Sequence, residues 1–462
     1  MQEYDLIVIG SGVGMRILGL AHQQGLKTAV IEHGPIGGTC LNRGCIPTKI
    51  LTYLADIIME AAYLSEIGVS FKVEEIDYQG IMKRMREHVD MMSNRQREMI
   101  SEDENIDLYQ GTGVFADKKI IEINGKRITA PFIIIASGSR PHIPDIKGLQ
   151  DVEYLTNDEA LRLMDQPSSM LIVGGGYVAA EFGHFFSAVG TDVTIIGRNE
   201  YLVKKEDPDV STLLKDELSK RMQVYTNYEI IEVREENSLK VAIGQNRETG
   251  EKKEFKGEVL LIASGRRSNS DFLQPEKAGI QVDPNGWIIV DDYFRTNQVG
   301  IWALGDAIGR YQFRHVANEE YRVLWHNMFA EDDSRFKTMK YDAIPRAIFS
   351  YPPIATVGMT LKEAKESGKK LLVAEADYSW VAKGFAMGNP PSLVRIIVDE
   401  DSRKILGSTI VGPHSPILIQ EIITLMYTSE GTDEKLFEAI HIHPSLSEVV
   451  QRVLYKLAPL EE

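Results

Sequence analysis

The chain has 462 residues, 43% hydrophobic and 26% charged, an ordinary globular composition with length for about three domains. Its 67 Asp and Glu outweigh 51 Lys and Arg, a net charge of −16. That balance, with no Lys/Arg cluster against it, argues against nucleic acid or anionic membrane as a partner. No apolar run approaches the ~20 residues of a membrane span.

The chain opens with MQEYDLIVIG, acidic residues running straight into an apolar strand. A signal peptide would need a basic region and a small-residue cleavage site, so a cytoplasmic location is expected. Structural disulfides are rare there. Residues 4–15, YDLIVIGSGVGM, join a strand to a helix through Gly10, Gly12 and Gly14. Such a turn lets backbone approach a pyrophosphate at a helix N-terminus. Met15 occupies the position of the third small residue. Glu32, at the end of the next strand, suits a ribose hydroxyl.

Both cysteines, Cys40 and Cys45, lie in GGTCLNRGCIPTK, residues 37–49. Cys-x4-Cys lacks the further ligands a structural zinc site requires. On an ideal helix, positions five apart point in different directions, so a disulfide needs a distorted turn, with Gly44 supplying the freedom. Pro47 suits the first turn of a helix over residues 47–64 and places Cys45 at its N-terminus, where the dipole favours a thiolate. The pair reads as redox-active; two small buried residues are the bland alternative.

The opening arrangement recurs. FIIIASGSRP (132–141) completes the first set, and SMLIVGGGYVAAEFG (169–183) with VLLIASGRRSN (259–269) forms the second. Two nucleotide-binding folds are expected. Gly174, Gly176 and Ala179 match the dinucleotide fingerprint. Gly197 stands where a ribose-binding acid would, followed by Arg198, Lys204 and Lys205. This favours a 2′-phosphate, hence NADPH; an ordinary solvated strand end is the alternative. A Gly-Asp turn follows a strand in IWALGDAIGR (301–310). Beyond residue 341, strand-like runs (LLVAEADYSW, SLVRIIVDE, KILGSTIVG) and helical ones (SPILIQEIITLMYTSE, LSEVVQRVLYKL) read as an α+β domain. Within HIHPSLSEVV (441–450), His443 with Glu448 suggests an oriented general base, and His441 is a rival by pattern.

Taken together, GGTCLNRGCIPTK, the two dinucleotide folds, Gly305-Asp306, FSYPPIATVG (349–358) and HIHPSLSE resemble the class I FAD-dependent pyridine nucleotide–disulfide oxidoreductases over nearly the whole chain. Dihydrolipoamide dehydrogenase, glutathione reductase and mycothione reductase belong to that family. The resemblance implies an α/β fold: two Rossmann-like dinucleotide-binding domains plus a C-terminal α+β dimerisation domain. The boundaries expected are an FAD-binding domain in two segments (1–148 and 268–340), an NAD(P)-binding domain (149–267) and a dimerisation domain (341–462). It implies that Cys40 attacks the substrate disulfide, that Cys45 faces the flavin as the charge-transfer thiolate, and that Lys49 approaches flavin N5 while paired with Glu181. Asp306 would bind the FAD ribityl chain. His443, oriented by Glu448, would serve the interchange thiol of the partner subunit, so an obligate homodimer is implied.

Gly38, Thr39, Gly113, Ser137, Gly138 and Gly265 complete the expected cofactor contacts. FAD is the expected resident cofactor and NAD(P)H, with NADPH favoured, the second. With only one cysteine pair, the chain does not fit mercuric or thioredoxin reductases. The active-site segment, including Arg43, is similar to dihydrolipoamide dehydrogenases; YQFRHVANEE and YSWVAKGFAMG are more similar to mycothione reductases. A small or lipoyl-linked dithiol or disulfide is the expected substrate, the lipoyl reading placed first. A low-molecular-weight disulfide is the alternative. A flavoprotein binding subunit without disulfide turnover is a third reading, opposed by the complete Cys40, Cys45, His443 and Glu448 set.

Overall fold

A computed structural model of the chain describes residues 1–63 and 67–460. The chain folds as two compact units, each assembled from three stretches. The first comprises Met1–Thr48, Gly80–His142 and Gly265–Lys340; the second comprises Lys49–Gln79, Ile143–Ser264 and Tyr341–Glu462.

The first unit is built on a five-stranded parallel sheet. Its strands lie in the order Ile301–Ala303, Phe132–Ile135, Leu6–Ile9, Thr28–Glu32 and Ile106–Gln110. Every residue of Leu6–Ile9 and Thr28–Glu32 is buried. That is why these strands read as unbroken apolar runs rather than alternating ones. The helix Gly14–Gln23 follows the first strand and buries Ile17, Leu18 and Ala21, the face expected of a helix lying on a sheet. A second sheet of Gln2–Glu3, Lys126–Thr129, Ile120–Ile123 and Val114–Asp117 belongs to the same unit. So does an antiparallel pair, Ser139–Pro141 with Arg266–Ser268.

The second unit repeats the motif. Its parallel sheet runs Gln223–Tyr225, Asp192–Ile196, Ser169–Val173 and Val259–Ile262, with the helix Tyr177–Ala188 leaving the Ser169–Val173 strand. In both units the strand before the glycines is flanked by the next strand and by the later Ala-Ser-Gly strand. The repeat seen in the sequence is therefore a repeat in topology. Three antiparallel strands, Tyr228–Glu236, Leu239–Asn246 and Lys252–Gly257, are inserted before the last of these. The C-terminal region carries a six-stranded antiparallel sheet in the order Pro345–Ile348, Ile354–Gly358, Ile405–Val411, Leu393–Asp399, Leu371–Ala376, Ala458–Pro459. Ile419 and Ile422 of the helix Ser415–Met426 join its core. The α/β architecture with a C-terminal antiparallel-sheet domain agrees with the sequence expectation.

Three details differ from that expectation. The strand LLVAEADYSW stops at Ala376, because Asp377 accepts the Ser379 N–H at 2.8 Å and turns Tyr378–Trp380 into a 3-10 helix. The last helical run is an α-helix only over Glu448–Arg452 and tightens to a 3-10 turn over Val453–Lys456. The helix after the cysteines starts at Cys45, two residues before Pro47, and is described to Tyr63; its expected last residue, Leu64, lies outside the described residues. Among the described residues, no helix is long and apolar enough to cross a membrane.

Candidate active site

The two cysteines sit at a break between helices. Gly38–Arg43 forms a short helix and Cys45 opens the next, with Gly44 between them at φ −142° and ψ −116°. A Cβ at Gly44 would lie 3.0 Å from the Thr39 carbonyl oxygen, so glycine lets the helices meet this closely. Both cysteines are free thiols, Cys40 half-buried and Cys45 exposed. The hydrogen bond between them, reinforced by burial, pushes the Cys40 thiol up, and the Arg314 guanidinium acts in the opposite sense. Two thiols in mutual contact are the reduced form of a disulfide couple; oxidation joins the sulfurs with loss of two protons and two electrons.

The glycines of the first unit build a cradle. Gly10 leaves its strand at φ +100°, and a Cβ there would lie 2.3 Å from the Ala136 carbonyl oxygen. Gly38, at φ +66°, packs backbone to backbone on Gly12: its Cβ would lie 2.6 Å from the Gly12 Cα. No side chain caps the helix Gly14–Gln23, which leaves its N-terminus open to an anion. Met15 is half-buried against the sheet core, which holds the helix without a third small residue.

Glu32 is buried and locks this cradle. Its Oε2 accepts from Ser11 N at 2.8 Å and Ser11 Oγ at 2.6 Å, and its Oε1 accepts from Gly34 N at 2.7 Å. A carboxylate oxygen has two lone pairs, so Oε1 can still accept from a ribose hydroxyl. Ser137 Oγ is buried beside the cradle with no hydrogen-bond partner among the described residues. Asp306 Oδ2 accepts from Ser139 Oγ at 2.6 Å, and Arg266 Nε donates to the same hydroxyl at 2.7 Å. The buried Glu320 accepts from Gly305 N at 2.7 Å and fixes the turn carrying Asp306. An orphaned hydroxyl, a placed carboxylate and a cradle that any Cβ would fill fit FAD, with its pyrophosphate and hydroxyls. Gly138 and Gly265 have left-handed φ values with open space where a Cβ would stand, whereas Gly113 packs against Ile31 and Ile121.

The second unit holds the matching cradle. A Cβ at Gly174 would lie 2.2 Å from the Ala263 carbonyl oxygen, and Gly175 and Gly197 face each other across a close approach. Gly176 caps the helix on which Ala179 is buried. Gly197, not an acid, follows the strand directly, and Arg198 and Lys204 are exposed beyond it, with the exposed Glu200 between them. In the same unit, Lys49 Nζ lies 2.5 Å from Glu181 Oε2 and 4.2 Å from the Phe349 ring centre. Glu181 is buried, and its other oxygen accepts from Phe349 N at 3.1 Å.

His443 Nδ1 bonds Glu448 Oε1 at 3.0 Å, across a cis His443–Pro444 bond. Ser445 N and Arg452 Nη2 also donate to Glu448, at 3.0 and 2.7 Å. The His443 bond, with these donors, holds the Glu448 carboxyl below its ordinary range. The rival, His441, is set apart by exposure. Its side chain is 6% exposed and tied to Glu421 at 3.1 Å, against 67% for His443.

Sequence reasoning did not find the Ser139–Arg266 contact or a buried bond between Asp56 and His184. The first had a signal: both residues lie in the repeated Ala-Ser-Gly strand returns. The second had none.

Comparison with known proteins agrees with this geometry. The family model described as pyridine nucleotide-disulphide oxidoreductase matches residues 4–320, and that family's dimerisation domain matches residues 344–454. A mycothione reductase of Mycobacterium tuberculosis is 33% identical, covering 99% of this chain and 100% of its own. A dihydrolipoyl dehydrogenase of Chlamydia muridarum is 32% identical over 97% of this chain and 95% of its own. The structure of the HOCl-induced flavoprotein disulfide reductase RclA from Escherichia coli superposes with a TM-score of 0.86 at 26% identity, covering 97% of this chain and 99% of that one. The chain belongs to the pyridine nucleotide-disulphide oxidoreductase family, as a disulfide reductase-class enzyme with a redox pair at Cys40 and Cys45 and a C-terminal dimerisation domain.

Proposed function

We propose that this enzyme moves electrons between a nicotinamide dinucleotide and a lipoyl-type dithiol or disulfide, through FAD and the Cys40–Cys45 pair. The observation that carries this reading is the hydrogen-bonded dithiol at a helix N-terminus. FAD, when bound, supplies hydride exchange with the nicotinamide and electron exchange with the cysteines. Gly10, Gly12, Gly14, Gly38, Thr39 and Glu32 would hold its pyrophosphate and ribose, and Ser137, Gly138 and Asp306 its remaining polar groups. By the family resemblance Lys49, pinned by Glu181, would carry its positive charge toward the flavin. Gly174, Gly176 and Ala179 receive the nicotinamide dinucleotide, with Gly265 at the return of the last strand.

In the reducing direction the Cys40 thiolate attacks one sulfur of the substrate disulfide and expels the other as a thiolate. Cys45 then attacks Cys40, closing the protein disulfide and releasing the second substrate sulfur. His443 Nδ1 is committed to Glu448, so Nε2 is the nitrogen that gives and takes the proton. The pair serves Cys40 of a second copy, and the working unit is a homodimer. Ile440 and Ile442 beside it are 100% and 78% exposed, an apolar surface that a second copy would cover. The division at residues 148, 267 and 340 and a cytoplasmic location belong to the same reading.

A second reading, NADPH-driven reduction of a low-molecular-weight disulfide of the mycothione or glutathione type, is favoured by Gly197 followed by the exposed Arg198 and Lys204. One experiment separates the two. The enzyme is reduced anaerobically with NADPH or NADH, mixed with lipoamide, and flavin reoxidation followed by stopped-flow absorbance. Rapid reoxidation supports the lipoyl reading; a reduced enzyme that lipoamide leaves untouched refutes it.

A further inference from the structure

The helix Cys45–Tyr63 takes part in a second, part-buried polar pair that the mechanism does not use. Asp56 stands seven residues after Lys49, about 10 Å along the axis and on nearly the same face. On the helix Tyr177–Ala188, His184 stands three residues after Glu181, again on one face. Lys49 bonds Glu181, and Asp56 Oδ1 bonds His184 Nε2 at 2.8 Å. One ion pair and one hydrogen bond therefore join the same two helices. The His184 ring is fully buried, and its Nδ1 has no hydrogen-bond partner among the described residues. Asp56 keeps 32% of its side chain exposed, a path for a proton to solvent.

We propose that Asp56 and His184 are positioning residues for Lys49: a pair that stores or releases one proton and so changes the charge behind the Lys49 ammonium. This rests on the reading that Lys49 faces the flavin.

The surroundings of the pair support such a switch. Burial pushes the Asp56 carboxyl up to about 7, while the cations Arg221, Lys49 and His414 pull against it. Burial and Arg221 push the His184 imidazole well below its ordinary range, so the ring stays neutral. Arg221 is itself lowered to about 10 by burial, its charge favoured by Tyr63, Asp56, Tyr351 and Glu217. The Tyr351 ring lies 6.2 Å from that of His184, and Glu60 and Tyr63 act on Tyr351 in turn. With the proton present, Asp56 donates to Nε2 and the ring carries its hydrogen on Nδ1. With one proton gone, Nε2–H donates to an Asp56 carboxylate and Nδ1 is bare. The net charge falls by one, and the buried, unpaired Nδ1 loses a hydrogen it could not satisfy. Through a local dielectric of ~20, a charge about 10 Å from Lys49 couples to it by a factor of about fifteen, which bounds from above the change in a rate that senses the Lys49 field.

The test uses the FAD-loaded enzyme. The rate of flavin reduction by NADPH and the flavin midpoint potential are measured from pH 5.5 to 8.5 for wild type, D56N and K49M. In addition, the Asp56 carboxyl is titrated by carbon-13 NMR in wild type. The expectation is a break near neutral pH in the wild-type potential, a rate change of about fivefold to tenfold across it, and loss of both in D56N. An Asp56 resonance that does not titrate between pH 5.5 and 8.5 overturns the proposal even if D56N fails to fold. A break that survives in D56N overturns it too. If K49M leaves the flavin potential unchanged, the placement of Lys49 is wrong instead, a distinct failure.

Discussion

Gly38 and Gly138 offer a paired experiment on the FAD cradle. Both have nearly the same left-handed conformation, φ +66° and +71°, and they differ in what a side chain would meet. At Gly138 there is nothing within 4 Å; at Gly38 a Cβ would lie 2.6 Å from Gly12 Cα and 3.0 Å from Gly12 N. Gly138→Ala should therefore cost only the strain of left-handed backbone, about 1 kcal/mol. Gly38→Ala carries the same strain and must also push the Gly12 and Gly38 backbones apart by about 0.8 Å to reach ordinary contact at 3.4 Å. Backbone cannot yield like a flexible side chain, and overpacking of this kind costs ~1–3 kcal/mol, for a total of about 3 kcal/mol. The displaced segments are those that hold the pyrophosphate, so Gly38→Ala should also lower FAD affinity, by roughly 100-fold if ~2.7 kcal/mol of binding is lost. Urea unfolding of the two apoproteins and FAD titration by flavin fluorescence read the two effects separately. Equal losses in both variants would refute the claim that backbone-to-backbone packing is what glycine supplies at residue 38.

Four further outcomes follow from the site. Cys45→Ser should abolish disulfide turnover and spare NAD(P)H-dependent dye reduction; parallel loss of both activities would contradict the assignment of Cys45. His443→Gln should cut disulfide turnover by roughly 10²–10⁴-fold, the usual worth of a positioned acid–base group, with dye reduction unchanged. Glu448 has its folded-state carboxyl below the ordinary 4.5, so the stability it lends is present above that value and lost as pH falls through the depressed one. An acid-unfolding series should thus be less steep for Glu448→Gln than for wild type. Gly197→Glu should raise the NADH-to-NADPH ratio of kcat/KM at least tenfold over wild type, since its Cβ meets only ordinary contacts, the nearest at 3.4 Å.

How much of this was readable beforehand depends on distance along the chain. The strands LIVI, FIII and SMLIV declare themselves because both of their faces are buried. Gly10 and Gly174 do so because a Cβ there would lie 2.3 and 2.2 Å from a carbonyl oxygen of the neighbouring strand return. The cysteine break was legible because Gly44 and Pro47 act locally. Lys49 with Glu181, 132 residues apart, came only through family resemblance. Asp56 with His184, 128 residues apart, was not legible at all, because neither belongs to a motif and the pairing arises only when their two helices pack. His441 and His443 could not be separated by pattern, since two residues in an irregular segment differ only in which way the chain turns. The C-terminal strand and helix ends were misjudged where a local cap, Asp377, or a tightening last turn overrode apolar periodicity.

The central claim is that reducing equivalents enter from NAD(P)H and come to rest on Cys40 and Cys45. Anaerobic titration of the FAD-loaded, oxidised enzyme with NADPH, followed by absorbance, tests it most directly. The account predicts that the wild type takes up twice the equivalents accepted by Cys45→Ser, and that iodoacetamide labels Cys40 and Cys45 only after reduction. Equal uptake by both proteins, with labelling independent of reduction, would contradict it.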